Sequence, residues 1–220
     1  MDYMAMGSYP YPSSYILNGD GMLPAYPIRE MCRRIDAALP QRGAASDTQL
    51  IEALVSGVGV FYNYSLTQPC YSIGASANAA TTEDANFWDY LYCTEMLQPM
   101  TRNGVTDMFF EQSFDLAGVA AGCRRQWGVS PRPEWATINY GGWRLKGTSN
   151  IVWSNGGLDP WRGGGVTRNI SSSLLAITIP NVGHHMDLMF SDPRDPPAVK
   201  AARDFERTQI RKWVAQVEAR

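Results

Sequence analysis

The chain holds only two histidines, His184 and His185, side by side in the polar stretch Gly183-His184-His185-Met186-Asp187. Imidazole binds and releases protons near neutral pH, so these residues are the first candidates for moving protons. A second polar cluster, Asn155-Gly156-Gly157-Leu158-Asp159-Pro160-Trp161, lies upstream. A carboxylate such as Asp159 can accept the Nδ1 proton of an imidazole, fix its tautomer and stabilise the imidazolium formed when the ring takes a second proton. Other readings stay open at this stage. Asp159 before Pro160 also suits a plain turn. The paired histidines suit a satisfied loop, and His184, His185 and Asp187 could hold a metal, although adjacent side chains seldom aim at one ion.

What positions the two clusters is a change in chain character. Ile151-Val152-Trp153 and Leu174-Leu175-Ala176-Ile177-Thr178-Ile179 are short apolar runs, each ended by turn-forming residues. They read as buried strands of a parallel sheet, and the stretch between them is long enough for a crossover. Functional groups of such sheets gather in loops at the carboxyl ends of strands, where both polar clusters stand. A final helix opens at Asp195-Pro196-Pro197, since proline suits a first helical turn. Val199, Ala202, Ile210, Trp213 and Val217 share one face, expected to cover the sheet.

The earlier residues read as helical. Tyr9-Pro10-Tyr11-Pro12-Ser13-Ser14 is an irregular lead-in, because each proline restricts its predecessor. A helix is expected from about Pro27 through Met31 and Ile35. Ser46-Asp47-Thr48-Gln49 reads as a capping box, followed at helical spacing by Leu50, Ile51, Leu54, Val55, Val58 and Phe61. Further helices are expected over about 84–100, with Phe87, Trp88, Leu91 and Tyr92 as the apolar face, and over about 114–127. Strand, loop, strand, loop, helix after a helical stretch points to an α/β fold.

Composition narrows the function classes. The 220 residues are 45% hydrophobic and 18% charged with a net charge of -2, which is globular and gives no basic footprint for nucleic acid or an anionic membrane surface. No run is apolar for long enough to span a bilayer. The four cysteines, Cys32, Cys70, Cys93 and Cys123, lack the close pairing of a zinc site; an even number suits disulfides in an oxidising compartment. Asn63-Tyr64-Ser65 and Asn169-Ile170-Ser171 are glycosylation sequons. No signal peptide opens the chain at Met1-Asp2-Tyr3-Met4.

Several motifs together carry a resemblance. Ser154-Asn155-Gly156-Gly157-Leu158-Asp159-Pro160-Trp161 with Gly163-Gly164-Gly165-Val166 resembles the Asp motif, and Gly183-His184-His185-Met186-Asp187-Leu188 the His motif, of serine peptidase family S28, the lysosomal Pro-Xaa carboxypeptidases and dipeptidyl peptidase II. Similar matches, in the same order, are Tyr11-Pro12-Ser13, Tyr62-Asn63-Tyr64-Ser65, Cys93-Thr94-Glu95, Asn103-Gly104-Val105, Asp107-Met108-Phe109 and Gln126-Trp127-Gly128-Val129. The resemblance implies an α/β-hydrolase core with an inserted helical cap. The later part of the cap, with its lead-in, would span residues 1–140, and the C-terminal part of the core would span 141–220. In α/β-hydrolases the triad runs Ser, Asp, His, and Asp159 followed by His184 fits the last two terms.

By the same resemblance His184 is the catalytic histidine. Trp161 and His185 lie on the substrate side, and Cys93 pairs with Cys123. The implied activity is exopeptidase hydrolysis of peptide bonds after proline, as a Pro-Xaa carboxypeptidase or a dipeptidyl peptidase, in a lysosomal or secreted setting. Its expected partners are peptides with proline at the cleavage site, with a homodimer as a candidate assembly. No cofactor, metal, nucleic acid or membrane is expected. The chain departs from the family in three places. No Gly-x-Ser-x-Gly nucleophile motif is present, and Gly74-Ala75-Ser76-Ala77-Asn78 is only a near match. Met189 stands where the carboxypeptidase branch has an arginine, and Thr101 where some members have a cysteine. The chain is therefore expected to be the C-terminal part only of a longer protein, beginning at an internal methionine and lacking the nucleophile. The alternative is a non-catalytic binding or regulatory remnant of the same fold.

Overall fold

The computed structural model describes residues 2–14, 22–41, 43–67, 69–71, 83–107 and 109–218. The near-match segment 74–78 and Met108 lie outside the described residues. Along the chain run α1 (Asp2–Met6), α2 (Pro27–Ala38), α3 (Asp47–Tyr62), α4 (Glu83–Thr94), α5 (Leu116–Trp127), α6 (Trp135–Tyr140), β1 (Ile151–Gly156), β2 (Leu174–Ile179) and α7 (Pro197–Glu218). The described residues fall into two compact units, Met1–Gly74 with Lys146–Arg220, and Ala75–Leu145. The boundary drawn from the sequence at 140/141 marks the change from helices to strands. Packing groups the chain differently, setting 1–74 with 146–220.

In the first unit, α3 starts on a capping box. The Gln49 backbone N–H donates to Ser46 Oγ at 3.3 Å, and the Ser46 N–H donates to the Gln49 side-chain oxygen at 2.9 Å. Of the large-residue stripe expected from its spacing, Phe61 packs, partly buried, against the core, but the first turns of α3 pack by a different face. Leu50, Ile51, Leu54 and Val55 are exposed, whereas Ala53, Gly57, Gly59 and Val60 are buried. The reason is proximity. A Cβ on Gly57 would lie 2.6 Å from Ile35 Cγ1, so α2 comes close only where α3 has small residues. Met4, Leu23, Met31 and Val60 form the buried cluster beside this contact.

The strands pair in parallel, with Ile151 opposite Leu174 and Gly156 opposite Ile179. Among the described residues the sheet has these two strands, and most of their residues are half-buried rather than fully buried. A second cluster, Tyr9, Ile179, Val182, Met186, Val199 and Ala202, joins the lead-in, the end of β2 and the first turns of α7. Only that half of the α7 stripe is covered. Val199 and Ala202 are buried, but Ile210 and Val217 are exposed, which corrects the expectation that the whole face covers the sheet. No helix among the described residues is long and apolar enough to cross a membrane.

In the second unit α5 begins at Asp115, whose side chain accepts from the Gly118 N–H at 2.9 Å, and ends at Gly128 in the left-handed conformation. A disulfide ties Cys93 to Cys123, joining α4 to α5. Phe87, Trp88 and Leu91 on α4 remain exposed.

Candidate functional site

The site is built from the loops that leave the carboxyl ends of β1 and β2. Backbone bonds stitch these loops together: Gly157 N–H to Ile179 O at 2.8 Å and Leu158 N–H to Val182 O at 2.9 Å. So close an approach needs glycine. A Cβ on Gly156 would sit 2.0 Å from Gly183 O, and one on Gly183 would sit 2.2 Å from Met6 O, far inside any van der Waals contact.

Asp159 then caps a short 3-10 turn, Pro160–Gly164, its Oδ1 accepting from the Trp161 N–H at 3.0 Å. That contact orients the carboxylate, and the other oxygen, Oδ2, lies 2.7 Å from His184 Nδ1. Asp159 is buried and the His184 side chain is partly exposed. With Nδ1–H donating to Asp159, Nε2 carries the lone pair, so the imidazole can accept a proton there while the buried anion stabilises the resulting charge.

His184 is fixed by its backbone as well. Its N–H donates to Met6 O at 2.9 Å, and its carbonyl accepts from the Tyr9 hydroxyl at 3.0 Å. The Trp161 ring centre lies 6.0 Å from that of His184, and the indole N–H donates to Met6 Sδ at 3.2 Å. His185 adopts a left-handed backbone with φ 37, unusual for a residue with a side chain. Its ring centre is 4.2 Å from that of His184. Burial, and then the charge of His184, pull the His185 imidazole below its usual value.

Behind the histidines lies a polar layer. Asp187 is buried, and its Oδ2 accepts from Ser154 Oγ at 2.7 Å. Arg203 of α7 is also buried. It donates from Nε to Asp187 O at 2.8 Å, and from Nη2 to Met186 O at 3.0 Å and Met189 O at 3.2 Å. Its Nη1 pairs with Asp195, which in turn accepts from the Tyr11 hydroxyl at 2.8 Å. Burial pushes Asp195 upward, but the Asp192 N–H, Arg203 and Tyr11 outweigh it and leave the carboxyl below its ordinary range. Burial, and then Asp195, push the Tyr11 phenol up to about 12. On the open side, Tyr11, His185, Leu188, Met189, Phe190 and Asp192 line a cavity of about 570 Å³.

The structure gathers the sequence-predicted residues Asp159, His184, Trp161 and His185 around one point. Met6, Tyr9 and Arg203 join them without having been expected there. The available signal for Arg203 was its position, one residue past Ala202 on the covered stripe of α7, where a charge must find partners. Of the sequon residues, Asn63 is buried at the end of α3, whereas Asn169 is exposed, its side-chain oxygen accepting from the Ala176 N–H at 2.8 Å. Cys32 and Cys70 are exposed free thiols. The described residues hold no cluster of three or more metal-ligating side chains.

Comparison with known proteins gives one consistent result. The family profile described as "Serine carboxypeptidase S28" matches residues 1–206. The human lysosomal Pro-X carboxypeptidase is 39% identical over 96% of the chain and 40% of its own length. The Bos taurus counterpart is 37% identical over 99% and 41%. The Caenorhabditis elegans prolyl carboxy peptidase like protein 5 is 31% identical over 98% and 43%. The chain thus spans about two fifths of the length of the curated relatives it matches. The expectation of a likeness to a C-terminal part only is corrected: the profile matches from the first residue to residue 206, and these relatives cover 96–99% of the chain.

Proposed function

The chain belongs to the serine carboxypeptidase S28 family, and from that premise we propose that it supplies the acid–base pair of a serine-type exopeptidase acting on bonds after proline. The 2.7 Å contact between Asp159 Oδ2 and His184 Nδ1 carries this reading. His184 Nε2 takes the proton of a serine hydroxyl as the oxygen attacks the substrate carbonyl, then returns it to the leaving group. Asp159 holds the tautomer and stabilises the imidazolium, while backbone N–H groups hold the oxyanion. Trp161 offers a flat apolar ring to a proline side chain, and His185 borders the adjoining cavity where the rest of the substrate would lie.

The fold assigned to this reading is an α/β-hydrolase core, to which the strand-bearing stretch 141–220 belongs, with an inserted helical cap among the preceding helices. Relatives named as lysosomal carboxypeptidases and the Cys93–Cys123 disulfide support a lysosomal or secreted setting. A second reading, a non-catalytic binding protein of the same fold, is favoured by one observation: the 220 residues contain no Gly-x-Ser-x-Gly motif.

One experiment separates the two. The protein is incubated with a fluorophosphonate probe and with peptides ending in Pro-Xaa or beginning with Xaa-Pro. Labelling and hydrolysis that both vanish in His184→Ala support the peptidase. Saturable binding of the same peptides with neither labelling nor turnover supports the second reading and sinks the first.

A further inference from the structure

We propose that Arg203 is the positioning residue of the histidine loop: its guanidinium caps the turn Met186–Leu188 and so holds His184 where its Nδ1 meets Asp159. Only the effect on turnover rests on the peptidase reading; the effect on the His184 ring is independent of it.

The turn is too short to hold itself. It is a single 3-10 turn of three residues, closed by Leu188 N–H to His185 O at 3.0 Å and Met189 N–H to Met186 O at 3.3 Å. One turn gains too few hydrogen bonds to offset the order it imposes on the chain. Its entry adds strain. His185 is left-handed at φ 37, a conformation that a residue with a side chain keeps only where its surroundings enforce it. If His185 relaxed to an ordinary backbone, the peptide joining it to His184 would rotate, and the His184 carbonyl would leave the Tyr9 hydroxyl that now donates to it at 3.0 Å.

Arg203 supplies the restraint from α7. Its Nε donates to Asp187 O at 2.8 Å, and its Nη2 to Met186 O at 3.0 Å and Met189 O at 3.2 Å. Carbonyls at the end of a helical turn have no partner within it, and a guanidinium reaches several at once because its N–H groups spread in one rigid plane. The arginine is itself held. A buried cation needs a counter-charge, and Arg203 Nη1 meets Asp195 Oδ2 at 2.5 Å, on a side chain with no exposure. Asp195 also accepts from the Asp192 N–H at 2.9 Å and the Tyr11 hydroxyl at 2.8 Å. His184 is therefore fixed from two directions. Met6 O and the Tyr9 hydroxyl grip its own backbone, and Arg203 grips the turn that follows. Removing the second grip frees His185 to relax and lengthens the 2.7 Å contact between His184 Nδ1 and Asp159 Oδ2.

The test reads the imidazole itself. The full chain, with isotope-labelled histidine, is followed by NMR, which tells the two ring nitrogens apart. In the parent, the neutral His184 ring carries its hydrogen on Nδ1, bonded to Asp159. In Arg203→Ala the ratio of Nδ1–H to Nε2–H forms should fall about tenfold, the effect of losing one hydrogen bond to a charged group. Ethylguanidinium added to this variant should restore the ratio, and ethylammonium should not. Arg207→Ala, which removes a largely exposed cation on the next turn of α7, should leave it as in the parent. On the peptidase reading, kcat for prolyl peptides falls on the order of 10²-fold in Arg203→Ala, with KM nearly unchanged. Absence of turnover in the parent counts against that reading and leaves the ring measurement to decide the clamp. An unchanged ratio in folded Arg203→Ala, or an equal fall in Arg207→Ala, overturns the proposal. If Arg203→Ala does not fold, Asp195→Asn decides, since it leaves Arg203 present without its anion: a fall in the ratio supports the clamp, and an unchanged ratio overturns it.

Discussion

The strand-end loops and the α4–α5 pair solve the same problem, fixing two segments against each other, by opposite means. Around Asp159 and His184 the backbone itself comes into contact, through two glycines that exclude any side chain and through carbonyls gripped by a buried arginine. Between α4 and α5 Phe87, Trp88 and Leu91 of α4 stay exposed, and the fastening is a covalent bond beside an edge contact of Tyr90 with Trp127. The first arrangement fixes polar atoms through direct backbone contacts, as proton transfer requires. The second gives proximity without such placement, which suits a structural unit.

The contrast can be tested hardest at the chemistry. On the peptidase reading, Asp159→Asn keeps the shape of the loop but removes the anion, so the turnover of prolyl peptides proposed above should fall on the order of 10⁴-fold with amide spectra of the loops nearly unchanged. A comparable fall in Trp161→Phe would show instead that the region works by shape. Next in size is the disulfide. Replacing Cys93 and Cys123 by alanine should cost about 3 kcal/mol, with faster hydrogen exchange confined to residues 83–127 and none added at residues 156–187. Spread of the effect into those loops would erase the distinction between the two regions.

Smaller still is the glycine contact. Gly156→Ala should destabilise by about 1–3 kcal/mol in chemical denaturation and shift the His184 amide, whereas Gly163→Ala, with nothing within 4 Å of its added methyl, should do neither. The smallest effect concerns pH. His185 is held below 6.5 when folded, so it contributes stability present above 6.5 and lost as pH falls through its folded value. His185→Gln should flatten the acid side of a plot of thermal midpoint against pH and leave the neutral side as it was.

Local chemistry was the legible part of this fold. Ser46 and Gln49 announce the start of α3, the prolines at 196 and 197 the start of α7, and the apolar runs at 151 and 174 the two strands, because each signal lies within a few residues of its effect. Which face an element buries was less legible. On α3 the spacing of Leu50, Ile51, Leu54 and Val55 pointed to one stripe, which stays exposed, but α2 approaches along Ala53, Gly57 and Val60, and closeness between backbones leaves no mark in hydrophobic periodicity. In the site, the polar loops stood out by composition. The supports did not: Met6, Tyr9 and Arg203 reach His184 or its loop across distances in sequence that no local pattern spans.

That remoteness sets a timetable. Tyr9 bonds to a carbonyl 175 positions later, and Tyr11 to a carboxylate 184 positions later. At a synthesis rate of about 5–20 residues per second, the lead-in waits roughly 10–35 s on the ribosome before its partners exist. Through that interval Met6 and Tyr9, both buried in the finished molecule, wait for partners near Trp161 and His184. The histidine loop is thus among the last features to be completed, and its assembly in the cell depends on how well the opening residues are sheltered until then.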